Sequence, residues 1–331
     1  MRVRIAIAAC AVFLLGMGFL YWAVLLPVGK GQPQTVIIAK EASLRFVARK
    51  LKERGLIRSE TGFRMIARRQ WPKVRLGEYR LRPDMTPLQM LRKMVDGKVE
   101  AYWITVPEGF TLAQIGSLLA ERGLTTRDEL LAAATAASRL DTEFPKPTGS
   151  LEGYLFPDTY RLDASLDVSE TLILYMTQRF DEVVWKGLFK SQAPETGLTL
   201  HELITLASLV EGEAKKEDER PIIAGVLMNR FRTGKKLECD ATVQYALGNR
   251  KSRLLYSDLD YPSPYNTYLH VGLPPGPINN PGLASIEAAL KPAETPYLYY
   301  VAKPDGSHIF SRTFEEHQAA IERLRRAAAG K

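Results

Sequence analysis

One carboxylate in this chain stands where a carboxylate is costly. The run Thr199-Leu200-His201-Glu202 reads as a capping box that opens a helix. At about 100° per residue, Leu200, Leu203, Ile204, Leu206, Ala207 and Val210 then fall on one broad apolar face. Glu211 lies inside that face, four residues after Ala207 and seven after Ile204. A carboxylate there must be paired, protonated or open into a cleft, and desolvation raises its pKa. A raised pKa is what a general acid needs near neutral pH. The plain alternative is a structural ion pair with Lys215, Lys216 or Arg220. Glu213 falls at the edge of the same face, within reach of solvent.

Other chemistries find little support. His201, His270, His308 and His317 show no metal-ligand spacing, and His201-Glu202 lacks the second histidine of a zinc peptidase helix. There is no Gly-x-Ser-x-Gly elbow, no Ser-x-x-Lys motif and no phosphate-binding glycine loop. Neither a metal nor a cofactor is expected. Tyr265, Tyr268, Tyr297, Tyr299 and Tyr300 could stack on sugar rings, although tyrosines at strand spacing also serve as core.

The elements that must position Glu211 are legible in outline. Helical patterns cover 169–189, 199–212, 217–231 and 282–290, and 297–302 with 308–311 flank Pro304-Asp305-Gly306 as a hairpin. A stretch rich in Pro, Gly and aromatics, 145–158, reads as an ordered loop opening this second domain, residues 145–326. Upstream, the region 34–144 contains a duplication. Ser43-Leu44, Val47, Leu51 and Glu53-Arg54-Gly55-Leu56 match Thr111-Leu112, Ile115, Leu119 and Glu121-Arg122-Gly123-Leu124. Each copy has an apolar strand (36–39 and 102–106), a hydroxyl N-cap, apolar residues at helical spacing and a glycine at the C-cap position. Gly77-Glu78-Tyr79-Arg80-Leu81 reads as a strand between the copies, and Thr86 starts another helix. The whole is therefore α+β, with a small duplicated α/β region ahead of a helix-rich domain.

Residues 5–26 carry no charge and as a helix would extend roughly 33 Å, enough to cross a bilayer core. The rival is a cleaved signal peptide, whose apolar region is usually about 7–15 residues long. The lipobox-like Ile7-Ala8-Ala9-Cys10 has too few apolar residues before it. An uncleaved transmembrane helix is expected, with Arg2 and Arg4 keeping residues 1–4 in the cytoplasm and the rest outside. Cys10 falls within this span and Cys239 beyond it, so no disulfide is expected. The net charge of +8 suits an anionic partner such as cell-wall polymer or lipid headgroup, and equally a solvated surface near a membrane. No motif directs it to nucleic acid.

Several motifs resemble one family in their order. They are Glu152-Gly153-Tyr154-Leu155-Phe156-Pro157-Asp158-Thr159-Tyr160, Ala207-Ser208-Leu209-Val210-Glu211-Gly212-Glu213, Val226-Leu227-Met228-Asn229-Arg230 and Cys239-Asp240-Ala241-Thr242-Val243-Gln244-Tyr245-Ala246-Leu247-Gly248. After them come Ser263-Pro264-Tyr265-Asn266-Thr267-Tyr268, Gly272-Leu273-Pro274-Pro275-Gly276-Pro277-Ile278 and Pro296-Tyr297-Leu298-Tyr299-Tyr300-Val301. Together they are similar to the YceG-like family.

The resemblance implies a lyase of the cell wall, cutting the β-1,4 bond between N-acetylmuramic acid and N-acetylglucosamine within a peptidoglycan strand and leaving a 1,6-anhydromuramyl end. It implies Glu211 as the catalytic residue, with Glu213, Asp240, Gln244, Tyr265 and Asn266 as candidates for substrate binding. It further implies an inner-membrane protein with a periplasmic catalytic domain, working beside penicillin-binding protein synthases to release or terminate nascent strands. Residues of about 102–137 resemble a LysM-like carbohydrate-binding unit, against which stands a duplicated packing unit with no ligand. Two positions depart from the family pattern: Ala241 where proline is expected, and Gly212 where a longer side chain is expected. Competing readings are a hydrolase using Asp240 or Glu213 as second carboxylate, and a non-catalytic wall-binding scaffold.

Overall fold

The computed structural model describes residues 14, 16, 18, 21–22, 26–38, 42–75, 77–97, 102–136, 142–145, 147, 149–162, 167–190, 197–248, 251 and 254–329. The expected transmembrane stretch, 5–26, lies mostly outside these. Among the described residues no helix is long and apolar enough to cross a membrane. The chain divides into two compact units, one formed by Met1–Ile104, Leu118–Thr126 and Tyr160–Thr171, the other by Thr105–Ser117, Arg127–Thr159 and Leu172–Lys331.

In chain order, β1 (Gln34–Ile38) is followed by α1 (Leu44–Glu53), α2 (Glu60–Ala67), β2 (Gly77–Leu81) and α3 (Pro87–Val95). β1 and β2 pair antiparallel with Gln34 opposite Leu81. Their inner faces and the helices close over a core in which Val36, Val47, Leu51, Phe63, Tyr79 and Leu91 are fully buried. The second copy of the duplication repeats this order as β3 (Tyr102–Thr105), α4 (Leu112–Glu121), α5 (Arg127–Thr135) and β4 (Thr159–Leu162), with β3 and β4 forming a two-stranded sheet. Local signals explain the likeness. Ser43 Oγ accepts from Phe46 N at 3.2 Å, and Thr111 with Gln114 forms both bonds of a capping box. Gly55 and Gly123 sit at φ +64° and +67° just beyond α1 and α4, where a side chain would be strained.

α2 and β4 were absent from the sequence reading. α2 is only eight residues long and contains Thr61 and Gly62, both weak helix formers. β4 alternates exposed and buried along Thr159–Leu162 but directly continues a run that reads as loop.

Further along lie α6 (Val168–Phe180), continued by a π-helical stretch Asp181–Phe189, then α7 (Leu200–Glu213), a 3₁₀ turn Glu217–Glu219 and α8 (Arg220–Arg232). α9 (Asp240–Leu247), α10 (Leu283–Leu290), β5 (Tyr299–Ala302), β6 (His308–Ser311) and α11 (Phe314–Ala329) complete the chain. α7 packs against α8, α9 and α10, and α11 lies on the β5–β6 hairpin. Thr199 makes the expected capping box at the head of α7. The expected apolar face proves too narrow, because every residue from Leu203 to Val210 is buried. A helix apolar all round belongs at the centre of a core. The two polar residues of this buried stretch stay satisfied by bonding back along the helix, Thr205 Oγ1 to His201 O and Ser208 Oγ to Thr205 O, both at 2.7 Å. The result is the mixed, helix-rich α+β architecture that the patterning implied, with small two-stranded sheets.

Candidate active site

Glu211 stands in the last turn of α7, where the helix leaves its buried surroundings. Its Oε2 accepts from Ser285 Oγ at 2.7 Å and from the Gly282 amide at 3.1 Å. Gly282 is the N-cap of α10, so the carboxylate faces unsatisfied amides and the positive end of a helix dipole. Arg220 Nε donates to Ser285 Oγ at 3.0 Å, and Arg220 Nη2 stands 3.8 Å from Glu211 Oε1, beyond hydrogen-bond length. Of the three cations expected as partners, Arg220 is therefore the one that approaches. On another side Gly109, at φ +72°, lets the backbone run close: a Cβ there would lie 3.3 Å from Glu211 Cγ. One oxygen is thus clamped by two donors, while the other keeps a lone-pair side for a further partner. The side chain retains 9% exposure.

The clamp depends on a polar knot that brings three distant segments together. Asn280 Oδ1 accepts from the amides of Gly153 (2.9 Å) and Leu155 (3.0 Å), and its Nδ2 donates to Phe110 O (2.9 Å) and Glu152 Oε1 (3.1 Å). Backbone bonds reinforce it, Gly109 N to Asn280 O at 2.8 Å and Asn280 N to Phe110 O at 3.0 Å. Glu152 Oε1 also accepts from Leu112 N at 2.8 Å, at the head of α4. Burial pushes the Glu152 carboxyl up to about 7, against the opposing bonds from Leu112, Tyr245 and Asn280. Asn280 is completely buried with both amide atoms doubly engaged, so the segment carrying Gly282 has little freedom.

A family model described as the YceG-like family matches residues 36–323. The chain belongs to the YceG-like family. An endolytic murein transglycosylase of Bacillus subtilis (strain 168) is 36% identical over 328 residues, covering 94% of this chain and 91% of its own length. One from Streptococcus pneumoniae (strain ATCC BAA-255 / R6) is 29% identical over 319 residues, covering 87% of this chain and 57% of its own length. The crystal structure of a YceG-like protein from Listeria monocytogenes, at 32% identity, matches with a TM-score of 0.64 over 87% of this chain and 98% of that one.

In this YceG-like chain the five expected substrate-binding residues divide. Glu213 and Asp240 come together: Glu213 Oε1 accepts from Ala241 N at 3.3 Å, and Tyr268 donates to Asp240 Oδ1 at 2.7 Å. The two departures from the family pattern meet in the same place, since a Cβ on Gly212 would lie 2.7 Å from Ala241 Cβ. Gln244 binds both backbone groups of Lys251 (2.8 and 2.9 Å). Asn266 is fully buried, with Nδ2 donating to Leu259 O and Tyr261 O and Oδ1 accepting from Tyr268 N. Both amides thus hold loop backbone. Tyr265 packs against Tyr245 with ring centroids 5.0 Å apart. None of the five hydrogen-bonds Glu211 among the described residues. Arg220, Gly282 and Ser285, which do surround it, carry no motif signal of their own.

Glu213 does not meet solvent as freely as its helical position implied. Burial first, and repulsion from Asp240 second, push its carboxyl from 4.5 up to about 7. An acid with a raised folded-state pKa binds its proton more tightly folded than unfolded, so stability falls as pH rises between those values. Glu213→Gln is therefore expected to melt like the parent near pH 4 and at a higher temperature at pH 8. Thermal melts at both values check this, and a lower melting temperature at pH 8 would count against it. Glu152 shifts in the same direction, so the substitution should reduce the slope rather than abolish it.

Proposed function

We infer that this YceG-like chain is an endolytic murein transglycosylase whose acid is Glu211. The observation that carries the reading is the asymmetric clamp: Oε2 is held by Ser285 and Gly282, and Oε1 is left to exchange a proton. In the first half of the reaction Glu211 gives its proton to the glycosidic oxygen as the bond from muramyl C1 to that oxygen breaks. In the second, the Glu211 carboxylate takes the proton of the muramyl C6 hydroxyl as O6 bonds to C1. The product ends in 1,6-anhydromuramic acid, no water is consumed, and the acid is regenerated. Because the sugar supplies the nucleophile, one carboxylate suffices where most glycosidases need two.

The engagement of Asp240 with Tyr268 and of Glu213 with the Ala241 amide favours this over a hydrolase. Digestion of purified sacculi in H₂¹⁸O followed by mass spectrometry of the soluble muropeptides tests it. Anhydromuramyl ends are expected, and reducing ends carrying ¹⁸O would refute the transglycosylase reading. A non-catalytic scaffold would release nothing.

The second copy of the duplication is read as a LysM-like glycan contact. Trp103, 61% exposed on β3, supports this as a flat apolar surface for a sugar ring. Trp103→Ala in a Glu211→Gln background should weaken pelleting with sacculi several-fold, and unchanged pelleting would count against the assignment. Residues 5–26 are read as an inner-membrane anchor that holds the remaining chain in the periplasm beside penicillin-binding synthases. Full-length protein should resist carbonate and yield to detergent; a soluble form beginning near Gln32 would exclude the anchor.

A further inference from the structure

A second carboxyl group belongs to the surroundings of Glu211. Glu108 precedes Gly109, the residue whose backbone packs on Glu211 Cγ. Gly282 donates its amide to Glu211 Oε2, and a Cβ on Gly282 would overlap the carboxyl group of Glu108. The two acids therefore approach the same backbone atoms at the N-terminus of α10, one through the amide and one across the space where a side chain would stand. Gly282 has φ −75°, a conformation open to any residue, so its lack of a side chain answers to Glu108 and not to backbone strain. Arg220 stands near both, 3.8 Å from Glu211 Oε1 and close enough to Glu108 to favour its charge.

We propose that Glu108 is a positioning residue for Glu211, forming with it and Arg220 a carboxyl pair built around the bare backbone of Gly282, in which the charge on Glu108 governs how readily Glu211 gives up its proton. The proposal rests on the reading of Glu211 as the acid. One guanidinium cannot fully compensate two carboxylates, so a charge on either acid opposes a charge on the other. The charged groups facing Glu108 are Glu211, Arg220 and Glu217. Partial burial and then repulsion from Glu211 raise the Glu108 carboxyl, with Arg220 opposing and Glu217 adding to the rise. A neighbouring charge matters here because Glu211 must start each cycle as an acid and finish the first half as a base.

The test is the pH–rate profile of the full-length protein on purified glycan strands. The alkaline limb of that profile reports loss of the proton from the acid. Glu108→Gln should move the limb to lower pH by about one unit, in line with removal of a neighbouring charge. Above both limbs the rate should fall about tenfold, with KM little changed. Glu108→Asp, which keeps the charge, should return most of the shift. Should Glu108→Gln fail to fold, Gly282→Ala serves in its place, because the new Cβ displaces the Glu108 carboxyl without removing it, and the same limb movement is expected. A limb that stays in place, whether the rate is unchanged or uniformly lower at every pH, would overturn the proposal. Glu211→Gln is assayed alongside. Retained activity there overturns the assignment of the acid itself, whereas an inactive Glu211→Gln beside an unmoved Glu108→Gln limb overturns only the role given to Glu108.

Discussion

Glu211→Gln is expected to lower turnover of glycan strands by about 10²–10⁴-fold, the usual contribution of a general acid. Glutamine keeps the length and shape of the side chain, and its carbonyl oxygen can still accept from Ser285 Oγ and the Gly282 amide. The fold should survive, so circular dichroism and the melting temperature should stay close to those of the parent. What disappears is the proton that passes to the glycosidic oxygen. Glu213→Gln and Asp240→Asn should cost far less, because a reaction whose nucleophile is the sugar's own hydroxyl needs no second protein carboxylate. Turnover measured on the three variants side by side separates the mechanisms. A Glu211→Gln protein within tenfold of the parent would move the acid elsewhere, and an Asp240→Asn or Glu213→Gln protein as inactive as Glu211→Gln would favour a hydrolase.

Asn280→Ala should be the most destabilising single substitution in the loop scaffold. The side chain satisfies the amides of Gly153 and Leu155, the carbonyl of Phe110 and the carboxyl of Glu152, all within a buried site. Each buried group left unpaired costs about 1–3 kcal/mol, and several are orphaned at once. A loss of roughly 3–5 kcal/mol is expected after partial relaxation, near the upper end for point substitutions. Urea denaturation should show a lower midpoint with a similar slope. A loss below about 1 kcal/mol would mean that water replaces the amide without difficulty, and that the knot is not what fixes the Gly282 segment.

Glu211 stood out because it interrupts a periodic apolar pattern, and the start of its helix was legible because caps are local: Thr199 and Glu202 mark it within one turn. Arg220 was among the cations the sequence offered, but the two hydrogen-bond donors to Glu211 were not legible. Gly282 and Ser285 reach it across separations of 71 and 74 residues, which no window on the sequence spans. Glu108 stands between the expected strand 102–106 and the Thr111 cap, where the sequence offers only a strand-to-helix turn. α9 escaped notice because its N-cap, Cys239, makes no side-chain cap. Gln244 and Asn266 lie in motifs shared with the family, and both hold loop backbone, a role that a motif can record alongside contact with a ligand.

The order in which these parts occur along the chain has a consequence for its synthesis. A polypeptide is made from its N-terminus at about 5–20 residues per second, so α7 with Glu211 exists several seconds before the segment that bears Asn280, Gly282 and Ser285. Until that segment arrives, Glu152 lacks its Asn280 bond and Glu211 lacks both donors on Oε2. A half-made chain therefore contains Glu211 without its holder. Contacts so far apart also slow folding, because the intervening loops must close before any of the bonds form. An enzyme able to cut the wall of the cell that makes it would in this way stay unarmed until the segment bearing Gly282 and Ser285 has been made.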